Sequence, residues 1–176
     1  MVRLHERPPK LINMPTSLQD QIDEFHRKFA RAEIDDPDYL TDSVKALRHS
    51  VMFIHSVVER TLGLLLAKHA SGLEFKVANG PAIIEFFERM FPILDNMEFA
   101  SKMKAVKAVM KLPSGFEDQV WKVNTHRTIF SHPRSFRKEI SEYKKPERQL
   151  PVLKELWDAY VAINEFLLAN KLVLED

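Results

Sequence analysis

From Val44 to Leu65 the apolar residues Val44, Leu47, Val51, Ile54, Val58, Leu62 and Leu65 recur three and four positions apart. That rhythm puts them on one face of a long helix. No stretch shows the two-residue alternation of a half-buried strand, and the chain carries only four glycines. The pattern predicts an all-α fold, an antiparallel bundle of about six helices around this central one, which runs from about Thr41 to His69 and stops at Gly72.

The other helices follow from caps and breakers. Thr16 with Gln19 three residues on reads as a capping box for a first helix over Ser17–Ala32, with Leu18, Ile22, Phe25 and Phe29 inward. Pro81 opens a third helix that Pro92 is expected to close. A fourth spans about Asn96 to Lys111, with Phe99, Met103, Val106 and Met110 inward and its lysines outward. Ser114 with Glu117 reads as a second capping box, opening a fifth helix that ends before Pro133. The charged stretch from Pro133 to Gln149 is functional, partly helical or mobile, and a last helix runs from about Leu150 to Ala169 with Asn170 as its cap. The expected organisation is an extended arm over 1–16 and one helical domain over 17–176.

The chain has no cysteine. Disulfides, thiolate catalysis and cysteine-bound zinc are therefore excluded, and a reducing, cytoplasmic setting is the expectation. Uninterrupted apolar runs such as Leu62–Ala67 fall short of the roughly 20 residues of a bilayer span, so no membrane association is expected. The net charge is +1, but from Ser101 to Arg148 twelve Lys and Arg face five acids, leaving that region at +7 and the rest at −6. A local excess of this kind attracts a polyanion or an acidic partner.

Arg127 lies seven residues after Val120 and four after Val123, so the phase that buries those valines also turns the arginine inward. A buried charge needs a partner, which leaves a structural ion pair, a protein interface or an anion site. His132 follows five residues later, about 140° further round a continued helix, at an end that Pro133 frees from helical geometry. An arginine that holds phosphate through two hydrogen bonds and a histidine that exchanges a proton near neutrality form a minimal set for metal-free phosphodiester cleavage.

Arg127-Thr128-Ile129-Phe130-Ser131-His132 resembles the hallmark of the HEPN superfamily, helical bundles with an arginine and a histidine separated by four to six residues. The resemblance covers roughly Thr41 to Ala169. It implies a homodimer in which two copies of the motif meet in a cleft, and metal-independent ribonuclease activity of the toxin or defence type, with no cofactor. Catalysis would fall to Arg127 and His132, RNA binding to Arg134, Arg137 and Lys138, and control to an antitoxin or regulatory protein. Thr128 stands where Asn, Asp or His commonly follows the arginine, and Arg134 where many toxins carry tyrosine; Asn124 and His126 are the candidates to supply the missing polar group. The alternative is a non-catalytic interaction or regulatory module, a degenerate HEPN, in which Arg127 pairs with a carboxylate of its own chain.

Glu59 is the candidate for that carboxylate, since it flanks the central stripe. His55 lies one turn before it, a spacing that suits a metal or acid–base pair as well as a plain side-chain contact. No third metal ligand is evident. Trp121, Trp157 and Tyr160 could stack on bases, but each falls within a helical face and reads as core or interface.

Overall fold

The computed structural model describes residues 17–30, 34–72 and 80–169. The expected arm over 1–16, with the Thr16 cap, and the Asn170 cap fall outside them. Seven helices are described: α1 (Leu18–Phe29), α2 (Asp42–Ser71), α3 (Gly80–Asp95), α4 (Phe99–Val109), α5 (Phe116–Ser131), α6 (Arg137–Glu142) and α7 (Pro146–Ala169). There is no strand among the described residues. The chain is an all-α helical bundle.

Helix α2 is the hub, packed against α1, α3, α4, α5 and α7, while α5 and α1 also pack on α7. All seven residues of the Val44–Leu65 stripe are buried. By length and composition α2 is also long and apolar enough to cross a membrane, which the run of Leu62–Ala67 alone does not suggest. Here its stripe is covered by neighbouring helices instead. Burying each Leu, Ile or Phe of such a stripe contributes roughly 1.5–3 kcal/mol, so α2 supplies much of the drive for folding. Its end is set by Gly72, which takes the left-handed conformation at φ 64° and returns its N–H to the His69 carbonyl.

Several boundaries differ from the sequence reading, each for a local reason. The N-cap of α1 is Ser17, whose Oγ accepts from the Asp20 N–H at 3.0 Å. Helix α3 runs through Pro92 to Asp95. Proline there removes a single helical N–H on an exposed flank, a loss that the turn survives. Ser114 does not cap α5. Gly115 does, at φ 77°, and Glu117 pairs with Lys107 of α4 at 2.6 Å. The charged stretch after Pro133 is partly helical: it holds α6, and α7 begins at Pro146 with Pro151 inside its first turns. Trp157 packs among Phe25, Phe29 and Tyr160, and Trp121 meets Phe99 edge-on, so these rings belong to the core and its margin.

Candidate functional site

Where α2, α4 and α5 meet, a polar cluster sits inside the apolar packing. His55 of α2 is only 5% exposed. Its Nε2 lies 3.3 Å from Asn124 Oδ1 on α5, and its ring packs on Phe99, 5.5 Å between centroids. One turn along α2, Glu59 brings Oε2 to 3.7 Å from His55 Nδ1 and Oε1 to 3.3 Å from Lys102 Nζ on α4. Lys102 is buried at 4% exposure. This corrects the expectation that the α4 lysines all face solvent. Lys102 follows Phe99 by three residues and precedes Val106 by four, so it shares their inward phase, and Glu59 supplies the carboxylate that makes burial tolerable.

Arg127 is half-buried one turn after Asn124 on the same face of α5. Among the described residues no carboxylate lies within ion-pairing distance of it, and Glu59 pairs with Lys102. The expected Glu59–Arg127 pair is thus absent. The Arg127 charge is nevertheless close enough to act on His55. Burial chiefly holds the His55 pKa below that of a free imidazole, Glu59 opposes this, and the positive charges of Arg127 and Lys102 reinforce it. His55 is therefore neutral at pH 7, and its Nε2–H donates to Asn124.

His132 ends α5 as its C-cap, with an exposed side chain and an N–H that returns to the Thr128 carbonyl. Its carbonyl accepts from the N–H groups of Ser135 at 2.9 Å and Phe136 at 3.2 Å, folding the chain tightly into α6. Arg134, Arg137 and Lys138 are exposed on that turn and the start of α6. No hydrogen bond joins Arg127 to His132 within the chain.

The two residues considered as auxiliaries divide between faces. Asn124 lies with Arg127 and His55. His126 turns toward α7, where its Nε2 meets Glu155 Oε2 at 2.8 Å, with Lys122 on the other carboxylate oxygen at 3.1 Å. Partial burial pushes the Glu155 carboxyl up, and the hydrogen bonds from His126 and Lys122 outweigh it, leaving the pKa below the usual carboxylate value. Thr128 donates its hydroxyl to the Asn124 carbonyl at 2.9 Å, so that hydroxyl is already engaged.

Glu59 and Lys102 also line an open cleft of about 550 Å³, bordered by Gly63, Phe87, Phe91 and Leu94. Neither Arg127 nor His132 borders it. Among the described residues no group of three or more His, Asp or Glu is placed to hold a metal ion. No family model, curated protein or solved structure matches this chain.

Proposed function

We propose that the chain is a HEPN-like bundle that cleaves RNA without metal as a homodimer in the cytoplasm. The observation that carries the reading is Arg127: a half-buried arginine, inward in phase, with no carboxylate of the described residues within ion-pairing distance. A cation left in that state is suited to an incoming phosphate, which it can bind through two hydrogen bonds. The exposed His132 at the end of the same helix supplies the proton exchange. In the reaction the RNA 2′-oxygen attacks the adjacent phosphorus and loses its proton to a histidine acting as base. The bond from phosphorus to the 5′-oxygen breaks, and that oxygen gains a proton from a general acid. The products are a 2′,3′-cyclic phosphate and a 5′-hydroxyl, with Arg127 stabilising the added negative charge on phosphorus. Two copies of the motif in a dimer would provide both an acid and a base.

The test is cleavage of a labelled single-stranded RNA by purified protein in excess EDTA, with light scattering for the dimer. Cyclic-phosphate ends are expected, with a loss of about 10²-fold or more in rate for His132→Ala. An uncut RNA, or a His132→Ala protein as active as wild type, would overturn the catalytic reading.

The lack of a hydrogen bond between Arg127 and His132 favours a second reading, a degenerate HEPN that binds a regulatory protein and cuts nothing, while the Arg127–carboxylate pair expected of it is absent among the described residues. Under it the dimer forms, RNA stays intact, and Arg127→Ala weakens partner binding instead.

A further inference from the structure

Tyr39 is one of four large apolar or aromatic side chains exposed among the described residues, at 44%. It stands on a turn that is clamped from both sides. Just before it, Asp36 is gripped by Arg48 Nη1 at 2.9 Å and His49 Nε2 at 2.8 Å, and Arg48 also donates to the Asp35 carbonyl at 3.0 Å. The Arg48 and Asp36 side chains are only 13% and 11% exposed, so this pair is shielded from solvent. Just after it, Leu40 is buried and its N–H returns to the Pro37 carbonyl at 3.0 Å. With both flanks fixed, the phenol ring is presented outward on a rigid mount.

The Arg137 guanidinium lies over that ring, 5.7 Å from its centre. Arg137 opens α6, which is held by buried Ile140 and, beyond its end, by the stacking of Tyr143 on Phe130. The same residue is one tight turn from His132, whose carbonyl accepts from Phe136. Between His132 and Lys138 the chain carries Arg134, Arg137 and Lys138 and no acid. A planar cation and an aromatic ring, both anchored from behind, thus lie one tight turn of chain from the exposed histidine, with Arg134 and Lys138 on the α6 side and the exposed Asp35, Asp38 and Asp42 on the Tyr39 side.

We propose that Tyr39 and Arg137 form a stacking platform for one base of a single-stranded RNA, seating the nucleotide next to the phosphate presented to His132. The inference rests on the RNA-directed reading above and adds the residue that fixes the position of the strand. Stacking suits any base, because each has a π-face, and the neighbouring cations track the backbone. Double-stranded RNA, with its bases stacked internally, cannot use the platform.

The test is binding of a short single-stranded RNA with 2′-deoxy substitutions to block cleavage, followed by fluorescence anisotropy across a range of salt. Tyr39→Ala is expected to weaken binding about five- to tenfold, the lower end for loss of one stacking surface, with the salt slope unchanged because no charge is lost. Tyr39→Phe should bind as wild type. Arg137→Ala should weaken binding and also reduce the slope by about 0.7, the value for one phosphate contact on a single strand. A 5-iodouridine oligonucleotide should crosslink to Tyr39. Equal binding by Tyr39→Ala and wild type, or a Tyr39→Phe protein as weak as Tyr39→Ala, overturns the platform while leaving the ribonuclease reading intact. A wild-type protein that binds this RNA without cutting the unmodified strand sinks catalysis alone and leaves the platform to be judged on Tyr39. If wild type does not bind RNA, both fall.

Discussion

Glu59 and Lys102 form an unequal pair, and the inequality predicts which partner the protein can lose. The Lys102 side chain is 5% exposed, against 34% for Glu59. If Lys102 becomes methionine, the surviving Glu59 carboxylate keeps access to water and the site gains an apolar side chain of similar length. The cost should be within about 1 kcal/mol of zero, since replacing a buried ion by a hydrophobic isostere is often neutral or better. If Glu59 becomes glutamine, Lys102 is left buried beside a neutral amide. Removing one partner of a fully buried pair costs about 3–5 kcal/mol, and discounting for the solvent that reaches Glu59 gives about 2–3 kcal/mol. For a domain of this size that corresponds to a Tm lowered by about 4–12 °C for Glu59→Gln, against no more than about 4 °C for Lys102→Met. The double variant should melt close to Lys102→Met alone, because the buried charge that needed Glu59 has gone. Calorimetry or circular dichroism melts at pH 7.5 measure all three. A Lys102→Met protein as unstable as Glu59→Gln, or a double variant whose losses simply add, would refute the reasoning.

Two further outcomes follow from the same structure. Burial holds the pKa values of both His26 and His55 below that of a free imidazole. The unfolded chain then takes up protons first, so stability is complete above the free value of about 6.5 and is lost as pH falls below it toward the folded values. Urea titrations should show stability falling as pH drops below about 6.5; a flat profile between pH 7.5 and 5.5 would contradict it. The glycines supply a contrast of sign. Gly72 holds φ 64° with nothing near a prospective Cβ, so Gly72→Ala should cost about 1 kcal/mol through backbone strain alone. Gly63 is helical, and its Cβ would meet Leu94 and Phe87 at 3.7 Å, an ordinary contact, so Gly63→Ala should stabilise by about 0.5–1 kcal/mol. Melts that rank the two the other way would remove the argument.

Helical phase was the most legible property of this sequence because burial and periodicity are set by the same geometry. Every residue of the Val44–Leu65 stripe is buried, as are Val120, Val123 and Phe130 of α5. Caps were less legible, since several residues compete for each helix start and the winner depends on tertiary partners. Ser114 and Glu117 have the spacing of a capping box, yet Lys107 on a neighbouring helix takes Glu117, and Gly115 can adopt the conformation that starts the helix. Pro92 shows the same limit from the other side, because a proline on an exposed flank costs one hydrogen bond and does not have to end a helix.

The candidate site was legible in part, and the part missed follows the same rule. Phase singled out Arg127 as a charge turned inward, and the structure finds it half-buried. The identical test applies to Lys102, three residues after Phe99 and four before Val106, and it marks the better-buried cation of the two. What phase cannot reveal is how carboxylates are shared between helices distant in sequence. Glu59 lies within reach of one buried cation and is taken by Lys102, from α4, rather than by Arg127, from α5. That allocation gives Arg127 its interest: Lys102 has a carboxylate partner, and Arg127 has none within ion-pairing distance among the described residues. An ion pair at Arg127 would call for a second inward carboxylate, and the described part of the bundle places none within pairing distance of it. An incoming phosphate would meet that need, and for this reason Arg127, more than the spacing to His132, carries the functional argument.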